Sequence, residues 1–553
     1  MQQTVSQYVI KQMVQWGVKR IYGVAGDAIL PFLNELGRQA EILYIPCRHE
    51  TAAALMASTE AKLTGQPTVC IATSGPGAAQ LLNGMADAHM DCVPVIALTG
   101  QVETYKLGGF HKQFIDQQHL LSVVSARSEL LTHPEAIGEA MHRAFLTATE
   151  QQNVAHLSVC QDLWELETTA AILPQQPVAP DVQADRASVM AAAERLLQAK
   201  KPLFLLGTGA RKASQGVQQL AETMDAGIIL TLGAKGAIDA AHPQMLGGLG
   251  DGGSTATLEA MAQADLLVVF GAAWYPREYL PSQLPIIQVD ERLGSFHAYA
   301  NLSPVVSRVE ETLALWQPRL EQPQLHPDRA AWKQQMQTLH AHYLQEMDEW
   351  ARPDENGLLR SEILISELAK RVKSDAIVTV DTGEHSIWFN RVFPASSQLP
   401  VFSGKWRTMG YGLPAAIAAK LTQPARQVIA IIGDGCLLMS SGELATLAEQ
   451  KLAITVIVIN NRTLGLEERK MIASGYRPFG TDVPNPNFVK LAEAFGLRAY
   501  QATTLHQLGP VLDEALAGDG PSLIDVRCQA PTFSKIMPEI FFQTQAVPSY
   551  NKK

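Results

Sequence analysis

The sequence predicts an α/β protein with three doubly wound parallel-sheet domains, and three observations support this fold class. Short β-branched runs alternate with helical patterns, as in TVCIAT and VPVIALTG, then PLFLLG, GIILTL, LLVVFG and PIIQVD, then AIVTVD, VIAIIG and ITVIVIN. Such alternation is typical of parallel sheets covered by helices. A chain of 553 residues that is 47% hydrophobic can form about three domains of ordinary size. Two segments rich in Pro, Gln and small residues, ETTAAILPQQPVAPDVQADRAS and WQPRLEQPQLHPDRAAW, are interpreted as linkers.

The linkers set the predicted domain boundaries. We place a first domain at residues 1–166, a central domain at 185–318 and a third domain at 355–530, followed by a tail at 531–553. The tail ends in SKIMPEIFFQTQAVPSYNKK, whose apolar cluster is too short to predict a helix on a membrane surface. Peripheral contact with a membrane is therefore not expected, although the sequence does not exclude it.

Composition and the N-terminus argue against several classes of protein. A net charge of −10 without clustered Lys and Arg argues against binding of nucleic acid. The N-terminus MQQTVSQYVIKQMVQWGVKR lacks the pattern of a signal peptide and predicts an amphipathic helix with Thr4 as its N-cap. No apolar run approaches the roughly 18 residues of a membrane span. The six cysteines are scattered without a CxxC pair, so we expect neither a zinc site nor a disulfide framework, and we predict a cytoplasmic protein.

In the first domain, Glu50 follows the predicted strand ILYIP and begins an alanine-rich helix. A carboxylate in this position can stabilise the positive end of the helix dipole. It can also share a proton with a ligand in an apolar cleft. The residues alone leave both explanations open.

In the central domain, the turn GTGA at 207–210 follows the strand PLFLL, and Asp290 ends the strand PIIQV. Glycines at such a turn let a nucleotide phosphate approach the backbone. A tight βα turn without any ligand can also need two glycines, so this motif has two explanations.

In the third domain, VIAII and AITVIVI are predicted to be buried parallel strands. The segment SSGELATLAEQKL between them predicts a helix with Ser440 or Ser441 as its cap.

Asp434 and Asn461 follow these two strands, at the edge where open α/β sheets bind ligands. Their carboxylate and amide oxygens suit Mg²⁺, which commonly shares the phosphates of a substrate. Gly433 and Gly435 allow backbone N–H groups to approach a phosphate at the start of the next helix. The stretch predicts a magnesium diphosphate site, with an ordinary tight turn as the alternative.

The spacing of these motifs resembles that of one enzyme family. The sequence GDG is followed by NN so that Asp434 and Asn461 lie 27 positions apart, and RHETAAALMA, SGPG and TMGYGLPAA occur in the matching order. Together they resemble the thiamine diphosphate (ThDP)-dependent pyruvate oxidase and acetolactate synthase family over essentially the whole chain. The resemblance implies a pyrimidine-binding domain, a central domain and a diphosphate-binding domain, in that order.

The resemblance also implies the catalytic and metal-binding roles. Asp434, Asn461 and the backbone carbonyl of Thr463 bind Mg²⁺, and Glu50 hydrogen-bonds N1′ of the aminopyrimidine. Met409 is the apolar wedge that bends the cofactor, although filling of the core is the default role of such a residue. Gln113 is the third catalytic candidate.

The remaining candidates follow from the same resemblance. The carbonyl of Arg407 accepts a hydrogen bond from N4′, and His385 binds the diphosphate unless its role is only structural. The cofactor-binding candidates are Gly26, Ser74, Gly75, Gly77, Gly383, Glu384, His385, Arg407, Gly433, Gly435, Cys436, Leu464, Gly465 and Leu466. The candidates for FAD are Gly207, Gly209, Gly271 and Asp290.

The motifs resemble two kinds of enzyme within the family. GVKRIYGVAGD, VVFGAAWYPREYLPSQLPIIQVD and LGLEERKMIASGY are similar to pyruvate oxidases, whereas GMADAHMDCVPVIALTGQV, GEHSIW and NPNFVKLAEAFG are similar to acetolactate synthases. The family's Phe-Gln-Glu is altered here, because Gln113 stands between Lys112 and Phe114. Lys470 also replaces the glutamate of the oxidases and the tryptophan of the synthases. His111, Lys112 and Lys470 are candidates for binding an additional anionic group, or they are solvated loop residues.

The sequence therefore leads to one main functional hypothesis and two alternatives. The main hypothesis is a ThDP-, Mg²⁺- and FAD-dependent oxidase or dehydrogenase that decarboxylates a 2-oxo acid, with pyruvate as the expected substrate. The first alternative is a carboligase of the acetolactate synthase type that joins two 2-oxo acids. The second is a ThDP-binding protein without turnover. Because active sites of this family lie between subunits, the resemblance implies a homodimer or a homotetramer.

Overall fold

Each of the three α/β units in the structure is built on a six-stranded parallel sheet. The computed structural model describes residues 2–174, 184–296, 298, 301–320, 328–353 and 357–529. The tail at 531–553, on which the expectation about membrane contact depends, lies outside the described residues.

The first unit extends to Thr168. Its strands are β1 (Gln3–Thr4), β2 (Arg20–Gly23), β3 (Leu43–Pro46), β4 (Thr68–Ala72), β5 (Val95–Gln101), β6 (Arg127–Leu131), β7 (Val154–Cys160) and β8 (Glu167–Thr168). Its helices are α1 (Val5–Gln15), α2 (Leu30–Leu36), α3 (Glu50–Thr64), α4 (Pro76–Asp91), α5 (Gln117–Ser122) and α6 (Ile137–Gln151). The prediction for the first helix is confirmed, because Thr4 caps α1 and Gln7 completes a capping box.

The central unit begins at α7. Its strands are β9 (Pro202–Leu206), β10 (Gly227–Leu230), β11 (Met245–Gly248), β12 (Leu266–Phe270), β13 (Ile286–Asp290) and β14 (Leu302–Val306). Its helices are α7 (Arg186–Gln198), α8 (Ser214–Met224), α9 (Thr255–Gln263), α10 (Val309–Leu320) and α11 (Arg329–Trp350).

The third unit begins at α12. Its strands are β15 (Ile377–Val380), β16 (Leu399–Val401), β17 (Val428–Gly433), β18 (Ile454–Asn460), β19 (Arg498–Ala502) and β20 (Ser522–Arg527). Its helices are α12 (Ser361–Ala369), α13 (Glu384–Val392), α14 (Gly412–Thr422), α15 (Asp434–Ser440), α16 (Glu443–Glu449), α17 (Gly465–Ala473), α18 (Phe488–Ala494) and α19 (Leu505–Ala517).

The central strands of all three sheets are continuous apolar runs because helices cover both faces. All residues of β4, β5, β9, β12 and β18 are buried. The predicted fold class of three doubly wound parallel sheets is confirmed.

The strand orders show that the outer two units are alike and that the central unit differs from them. The sheets run β3-β2-β4-β5-β7-β6, β11-β10-β9-β12-β13-β14 and β16-β15-β17-β18-β20-β19. Counted from the first strand of each sheet, the first and third orders are both 2-1-3-4-6-5, and the central order is 3-2-1-4-5-6. The central order is that of the Rossmann dinucleotide-binding fold. Each sheet has a topological switch point, which lies between β2 and β4, between β9 and β12, and between β15 and β17.

The first and third units share a hydrophobic core across their contact. Ala54 of α3 and Met85 of α4 belong to the same buried cluster as Ala416 of α14 and Val456 of β18. Helices α3 and α4 approach closely because small residues line their contact. A Cβ atom on Gly84 would lie 2.4 Å from Ala54 Cβ and 2.7 Å from the Leu55 backbone nitrogen.

Both ends of the second predicted linker are helical in the structure. Helix α10 continues to Leu320 and α11 begins at Arg329, so helices occupy both ends of the segment WQPRLEQPQLHPDRAAW. Helix α11 packs on the central sheet, where the buried Arg329 guanidinium donates to the carbonyls of Ala199, Leu196 and Leu197. The composition rich in Pro and Gln predicted a linker, but the two ends of this segment form helices.

The segment SSGELATLAEQKL was predicted to form one helix, but in the structure two helices cover this region. Helix α15 already begins at Asp434 and ends at Ser440, and α16 begins at Glu443 with Gly442 as its N-cap. The prediction that Ser440 or Ser441 caps this helix was wrong. The helix begins directly after β17, so the acidic Asp434 takes the place at the N-terminus where a carboxylate is favoured.

Among the described helices, none combines the length and the apolar character required to cross a lipid bilayer.

We predict that Gly84→Ala destabilises the protein, although alanine is the better helix former. The added methyl group would overlap the backbone of α3, and overpacking of this kind costs about 1–3 kcal/mol of unfolding free energy. Thermal unfolding of the two proteins measures the effect. Gly37→Ala is the matched control, since Gly37 has a helical φ of −70° and its Cβ would meet nothing closer than 3.5 Å. Equal midpoints for Gly84→Ala and wild type would contradict the close packing of α3 on α4.

Candidate active site

The predicted site residues lie at the switch points of the two outer sheets. In the first unit, Gly26 follows β2 and the turn 74–77 follows β4. In the third unit, Gly383 follows β15 and Asp434 follows β17. Ligands of open α/β sheets bind in the crevice at this point, because neighbouring connections leave in opposite directions. The topology therefore forms two half-sites, one in each outer unit.

The carboxylate of Glu50 defines the first half-site. Glu50 is the first residue of α3, and only 9% of its surface is exposed. Its Oε1 atom faces the start of α4, where a Cβ atom on Gly77 would lie 3.2 Å away. Ser74, which precedes this helix, is also buried. A buried carboxylate thus lies beside a turn in which two of the four residues, Gly75 and Gly77, lack side chains.

The turn at Ser74–Gly77 is held against the loop that carries Gln113. Gly75 has φ of +61°, and a Cβ atom there would lie 2.6 Å from the Gln113 carbonyl oxygen. Gln113 itself has φ of +62°, so this loop places a non-glycine residue in the left-handed region. On the other side of the turn, a Cβ atom on Gly26 would lie 2.5 Å from Thr73 Cβ. The structure therefore places Glu50, Gly26 and Gln113 around the same turn.

Asp434 is the centre of the second half-site. Its Oδ1 atom accepts a hydrogen bond from the Gly435 backbone at 2.8 Å, and its Oδ2 atom accepts from the Arg462 backbone and from Asn485 Nδ2, both at 2.7 Å. Burial raises the pKa of Asp434, and these hydrogen bonds oppose that rise. They fix the orientation of a carboxylate that is only 2% exposed.

The other two predicted metal ligands lie on the adjacent loop after β18. Asn461 Oδ1 accepts from the Thr463 backbone at 3.3 Å, and Asn461 Nδ2 donates to Glu384 Oε2 at 3.4 Å. The Thr463 hydroxyl donates to Glu468 Oε2 at 2.6 Å. The predicted ligand of the ion is the backbone carbonyl of Thr463, not this hydroxyl. Asp434 and this loop are joined directly, because the Arg462 backbone donates to Asp434.

Helix α13 places Glu384 and His385 in the second half-site. Glu384 Oε1 accepts from Trp388 Nε1 at 2.6 Å, and burial raises the pKa of Glu384 to about 7. Burial lowers the pKa of His385 to about 4, so its imidazole is neutral at physiological pH. The imidazole lies against Gly433, whose Cβ atom would be 3.1 Å from His385 Cε1. Gly383 precedes this helix, and the Cys436 thiol donates to the Thr382 carbonyl at 3.1 Å.

Met409 also reaches this half-site. A Cβ atom on Gly435 would lie 2.9 Å from Leu464 Cδ2 and 3.5 Å from Met409 Cε, so these two side chains converge on Gly435. Arg407, two residues before Met409, has φ of +55°. Gly465 and Leu466 form the first turn of α17 immediately after Leu464.

The residues of the second half-site fit a magnesium diphosphate. The predicted metal donors are a carboxylate, an amide oxygen and a backbone carbonyl, which are the oxygen ligands that Mg²⁺ prefers. The buried Nε2 atom of His385 has no hydrogen-bond partner within the described part of the chain. Gly433 and Gly435 expose backbone without side chains, since a Cβ atom on Gly433 would lie 3.1 Å from His385 Cε1 and one on Gly435 would lie 2.9 Å from Leu464 Cδ2. A polar ligand bound beside these glycines would satisfy the unpartnered imidazole nitrogen.

Two residues of the site were missed by the sequence reasoning. Asn485 Nδ2 bridges Asp434 Oδ2 and Asn460 Oδ1, at 2.7 and 2.9 Å. The flanking prolines of Asn485, in the sequence PNP, are the local signal of a rigid loop that could have indicated it. Glu443 accepts the backbone N–H groups of Arg48 and His49, at 2.9 and 3.1 Å. No local pattern predicts this contact, because Glu443 and its two partners lie almost 400 residues apart in the chain.

Within one chain, the loop before Glu50 reaches the third unit at α16. The contacts run from Arg48 and His49 to Glu443, and from Arg48 Nη2 to Glu449 Oε2 at 2.5 Å. The loop before Glu50 is therefore one of the places where hydrogen bonds among the described residues join the first unit to the third unit within one chain.

The central candidates for FAD lie together at the central switch point. A Cβ atom on Gly207 would lie 2.3 Å from the Gly271 carbonyl oxygen, and one on Gly209 would lie 3.1 Å from Gly271 Cα. Asp290 ends β13 and accepts from the Arg292 backbone at 3.0 Å. Because contacts between backbones account for the three glycines, the glycines do not by themselves require a bound nucleotide.

The three candidate cations for an additional anionic group are exposed. His111, Lys112 and Lys470 all lie at the surface, and Lys470 forms an ion pair with Glu467 at 2.9 Å. His111 and Lys112 are therefore positioned as solvated loop residues, whereas Lys470 is an exposed residue of α17.

Comparisons with known proteins assign each unit to the same family. Residues 3–120 match the model described as thiamine pyrophosphate enzyme, N-terminal TPP binding domain. Residues 189–315 match the central domain of these enzymes, and residues 381–526 match their C-terminal TPP binding domain. Thiamine pyrophosphate is the same compound as ThDP.

Proteins of similar length match the whole chain. The Bacillus subtilis protein YdaP, whose name describes it only as containing thiamine pyrophosphate, is 33% identical over 99% of this chain and 98% of its own length. The acetolactate synthase isozyme 1 large subunit of Escherichia coli K12 is 32% identical over 95% of this chain and 94% of its own length. The isozyme 2 large subunit of the same organism is 29% identical over 94% and 95%. The chain therefore belongs to the family of thiamine pyrophosphate-dependent enzymes.

Proposed function

We propose that the protein is a carboligase of the acetolactate synthase type, which decarboxylates one 2-oxo acid and joins the product to a second. The observation that carries this proposal is the similarity over the whole chain to several acetolactate synthase large subunits. The presence of Glu50, Asp434 and Asn461 in two formed half-sites supports catalysis over a binding protein without turnover. The comparisons favour this alternative over the oxidase that was the main hypothesis from sequence.

The redox balance of the two reactions distinguishes them. Formation of an acetohydroxy acid from two 2-oxo acids involves no net oxidation, whereas conversion of pyruvate to acetate requires an electron acceptor. FAD at the central switch point remains part of the proposal, supported by the Rossmann strand order and by the position of Asp290 at the end of β13. In a carboligase this flavin does not need to change its redox state.

The residues of each half-site have distinct tasks in the proposed reaction. When bound, ThDP supplies a thiazolium ring that accepts the electron pair released by decarboxylation. Asp434 and Asn461, with the carbonyl of Thr463, hold the Mg²⁺ ion, and His385 beside Gly433 binds the diphosphate. Glu50 holds and returns a proton at the pyrimidine nitrogen, because a buried carboxylate can share a proton with a basic partner. Met409 fills the space beside Gly435 and excludes water from it.

We propose that two copies of the chain complete each active site, in a homodimer or a dimer of dimers. Large aromatic residues are exposed beside both half-sites. Tyr105 is 76% exposed and Phe110 is fully exposed near the loop of Gln113, while Tyr476 is 66% and Phe479 is 87% exposed near Thr463. Aromatic residues are enriched on surfaces that bind another protein, and we assign a second copy of this chain as the partner. A fully active monomer at high dilution would contradict this assignment.

The products formed from pyruvate test the proposed reaction. We expect the purified protein with Mg²⁺ and ThDP, kept without oxygen, to release one molecule of carbon dioxide for each pair of pyruvate molecules. Acetolactate should accumulate, and the absorbance of any bound flavin should not change. Acetate together with a bleached flavin would instead identify an oxidase. A panel of other 2-oxo acids, measured in the same way, identifies the preferred donor and acceptor.

Glu50→Gln should abolish most of the turnover while the protein still binds ThDP. The amide keeps the shape of the side chain but cannot exchange a proton, and loss of such a group costs about 10²- to 10⁴-fold in rate. Release of carbon dioxide measures turnover, and isothermal titration with ThDP and Mg²⁺ measures affinity. Glu139→Gln is the control, because the Glu139 side chain is 77% exposed and lies away from the site. Unchanged turnover in Glu50→Gln would refute the assigned role.

Asp434→Ala should remove the stabilisation that ThDP and Mg²⁺ give to the folded protein. A ligand at about 100 times its Kd stabilises the native state by about 2.7 kcal/mol, which differential scanning fluorimetry detects as a higher midpoint. We expect this rise in wild type, its loss on addition of a chelator, and its absence in Asp434→Ala. Asp519→Ala replaces an exposed aspartate of the same unit and should retain the rise. An undiminished rise in Asp434→Ala would show that the metal binds elsewhere.

A further inference from the structure

One face of α4 carries three polar side chains opposite a single loop of the third unit. Asn83 and Asp91 hydrogen-bond to this loop directly, and Asp87 is linked to it through Lys62. Asn83, Asp87 and Asp91 are spaced four residues apart, so they lie in one row along the helix. The loop at 402–411 lies opposite this row and contains Arg407 and Met409. We call these three residues the polar row of α4.

Asp91 binds the backbone of the loop directly. Its Oδ2 atom accepts the Gly404 N–H at 2.9 Å, and its Oδ1 atom accepts the Lys405 N–H at 2.8 Å. The approach is so close that a Cβ atom on Gly404 would lie 2.4 Å from Asp91 Oδ1. Hydrogen bonds from backbone amides to an ionised carboxylate are among the stronger ones in proteins.

Asn83 binds the part of the loop that is nearer to Met409. Its Oδ1 atom accepts from Trp406 Nε1 at 2.7 Å, and its Nδ2 atom donates to the Thr408 hydroxyl at 3.0 Å. The loop is also closed on itself, because the Thr408 N–H donates to the Ser403 hydroxyl at 3.0 Å. The polar row therefore contacts the loop on both sides of Arg407.

Lys62 of α3 holds the polar row in place. Its Nζ atom lies 2.6 Å from Asp87 Oδ2, 2.8 Å from Asp91 Oδ2 and 3.2 Å from the Phe402 carbonyl oxygen. It also lies 4.7 Å above the ring of Tyr411, at the end of the same loop. Burial opposes the charge on Lys62, but attraction by the two carboxylates outweighs burial and raises its pKa above the usual range.

The loop needs this support because its backbone is strained. Arg407 adopts a left-handed conformation with φ of +55°, which a non-glycine residue reaches only at a cost. Such a conformation persists when surrounding contacts determine it. Here the hydrogen bonds from the polar row supply contacts on either side of the strained residue.

We propose that Lys62, Asp91 and Asn83 are positioning residues that hold the loop 402–411 so that Met409 stays against Gly435. The inference deepens the proposed function, since it assigns these residues to the geometry of the same site. Helices α3 and α4 begin at Glu50 and at the turn Ser74–Gly77, and they carry Lys62 and Asp91 near their other ends. One pair of helices thereby connects Glu50 of the first half-site to the loop that carries Met409 of the second half-site.

Hydrogen exchange of the loop, followed by mass spectrometry of the protein without ThDP, tests the proposal. Asp91→Asn places an amide N–H group opposite N–H donors, so we expect exchange in peptides covering 402–411 to become about tenfold faster, the factor for one lost hydrogen bond. Lys62→Met is a second variant and should accelerate the same peptides. Turnover of Asp91→Asn should fall about tenfold, while its Kd for ThDP changes by less than about threefold, because the diphosphate ligands are unaltered.

Glu60→Gln is the matched control on the same helix. Glu60 is buried and accepts from Arg20 and from Tyr22, but it faces the sheet of the first unit rather than the loop. The Glu60→Gln variant should have a lower unfolding midpoint than wild type, while hydrogen exchange of peptides covering 402–411 should not become faster. If the loop exchanges at the same rate in Asp91→Asn as in wild type, or equally fast in Glu60→Gln, the proposal is wrong. Exchange needs neither cofactor nor substrate, so this outcome is separate from a failure of the proposed reaction.

Discussion

The packing of α3 and α4 of the first unit against the third unit is the contact on which the rest of the structure depends. Small residues allow α3 and α4 to approach until a single methyl group on Gly84 would overlap the backbone of its neighbour. The apolar side of this contact is one buried cluster that contains residues of both outer units. Its polar side is the network of Lys62 with Asp87 and Asp91. Since both helices begin at the first half-site, this contact sets where Glu50 and the loop of Met409 lie.

Buried charge is compensated at each place where this arrangement requires it. Asp434 accepts three hydrogen bonds, Glu443 accepts the N–H groups of two consecutive residues, and Lys62 faces two carboxylates. An unpaired charge in these positions would cost several kcal/mol, so each donor or acceptor is held in one orientation. The side chains of the proposed metal site are therefore oriented before any ligand binds, which would lower the cost of binding.

The topology explains why the site is divided between two similar units. The first and third sheets share one strand order, and each offers a crevice at the same switch point. The residues that follow the strands differ between the two crevices. The first has a buried acid beside a glycine turn and suits a nitrogen base, whereas the third has oxygen donors and glycines and suits a metal diphosphate. The central unit has the dinucleotide-binding strand order and a separate crevice at its own switch point.

The sequence by itself determined the features that repeat at short range. Alternating apolar runs predicted three parallel-sheet units, and Thr4 predicted the start of α1. The ends of two apolar runs predicted that Asp434 and Asn461 follow neighbouring strands. These predictions were possible because periodicity and strand ends are local properties. The tertiary structure alone decided the strand orders, the division of α15 from α16, and the contacts of Glu443, Asn485 and the polar row of α4. These features depend on residues that lie far apart in the chain and meet only after the helices have packed. The PNP sequence signals a rigid loop at Asn485, but no local pattern identifies the partners of these residues, because the energy of their contacts comes from burial and hydrogen bonding between separate parts of the chain.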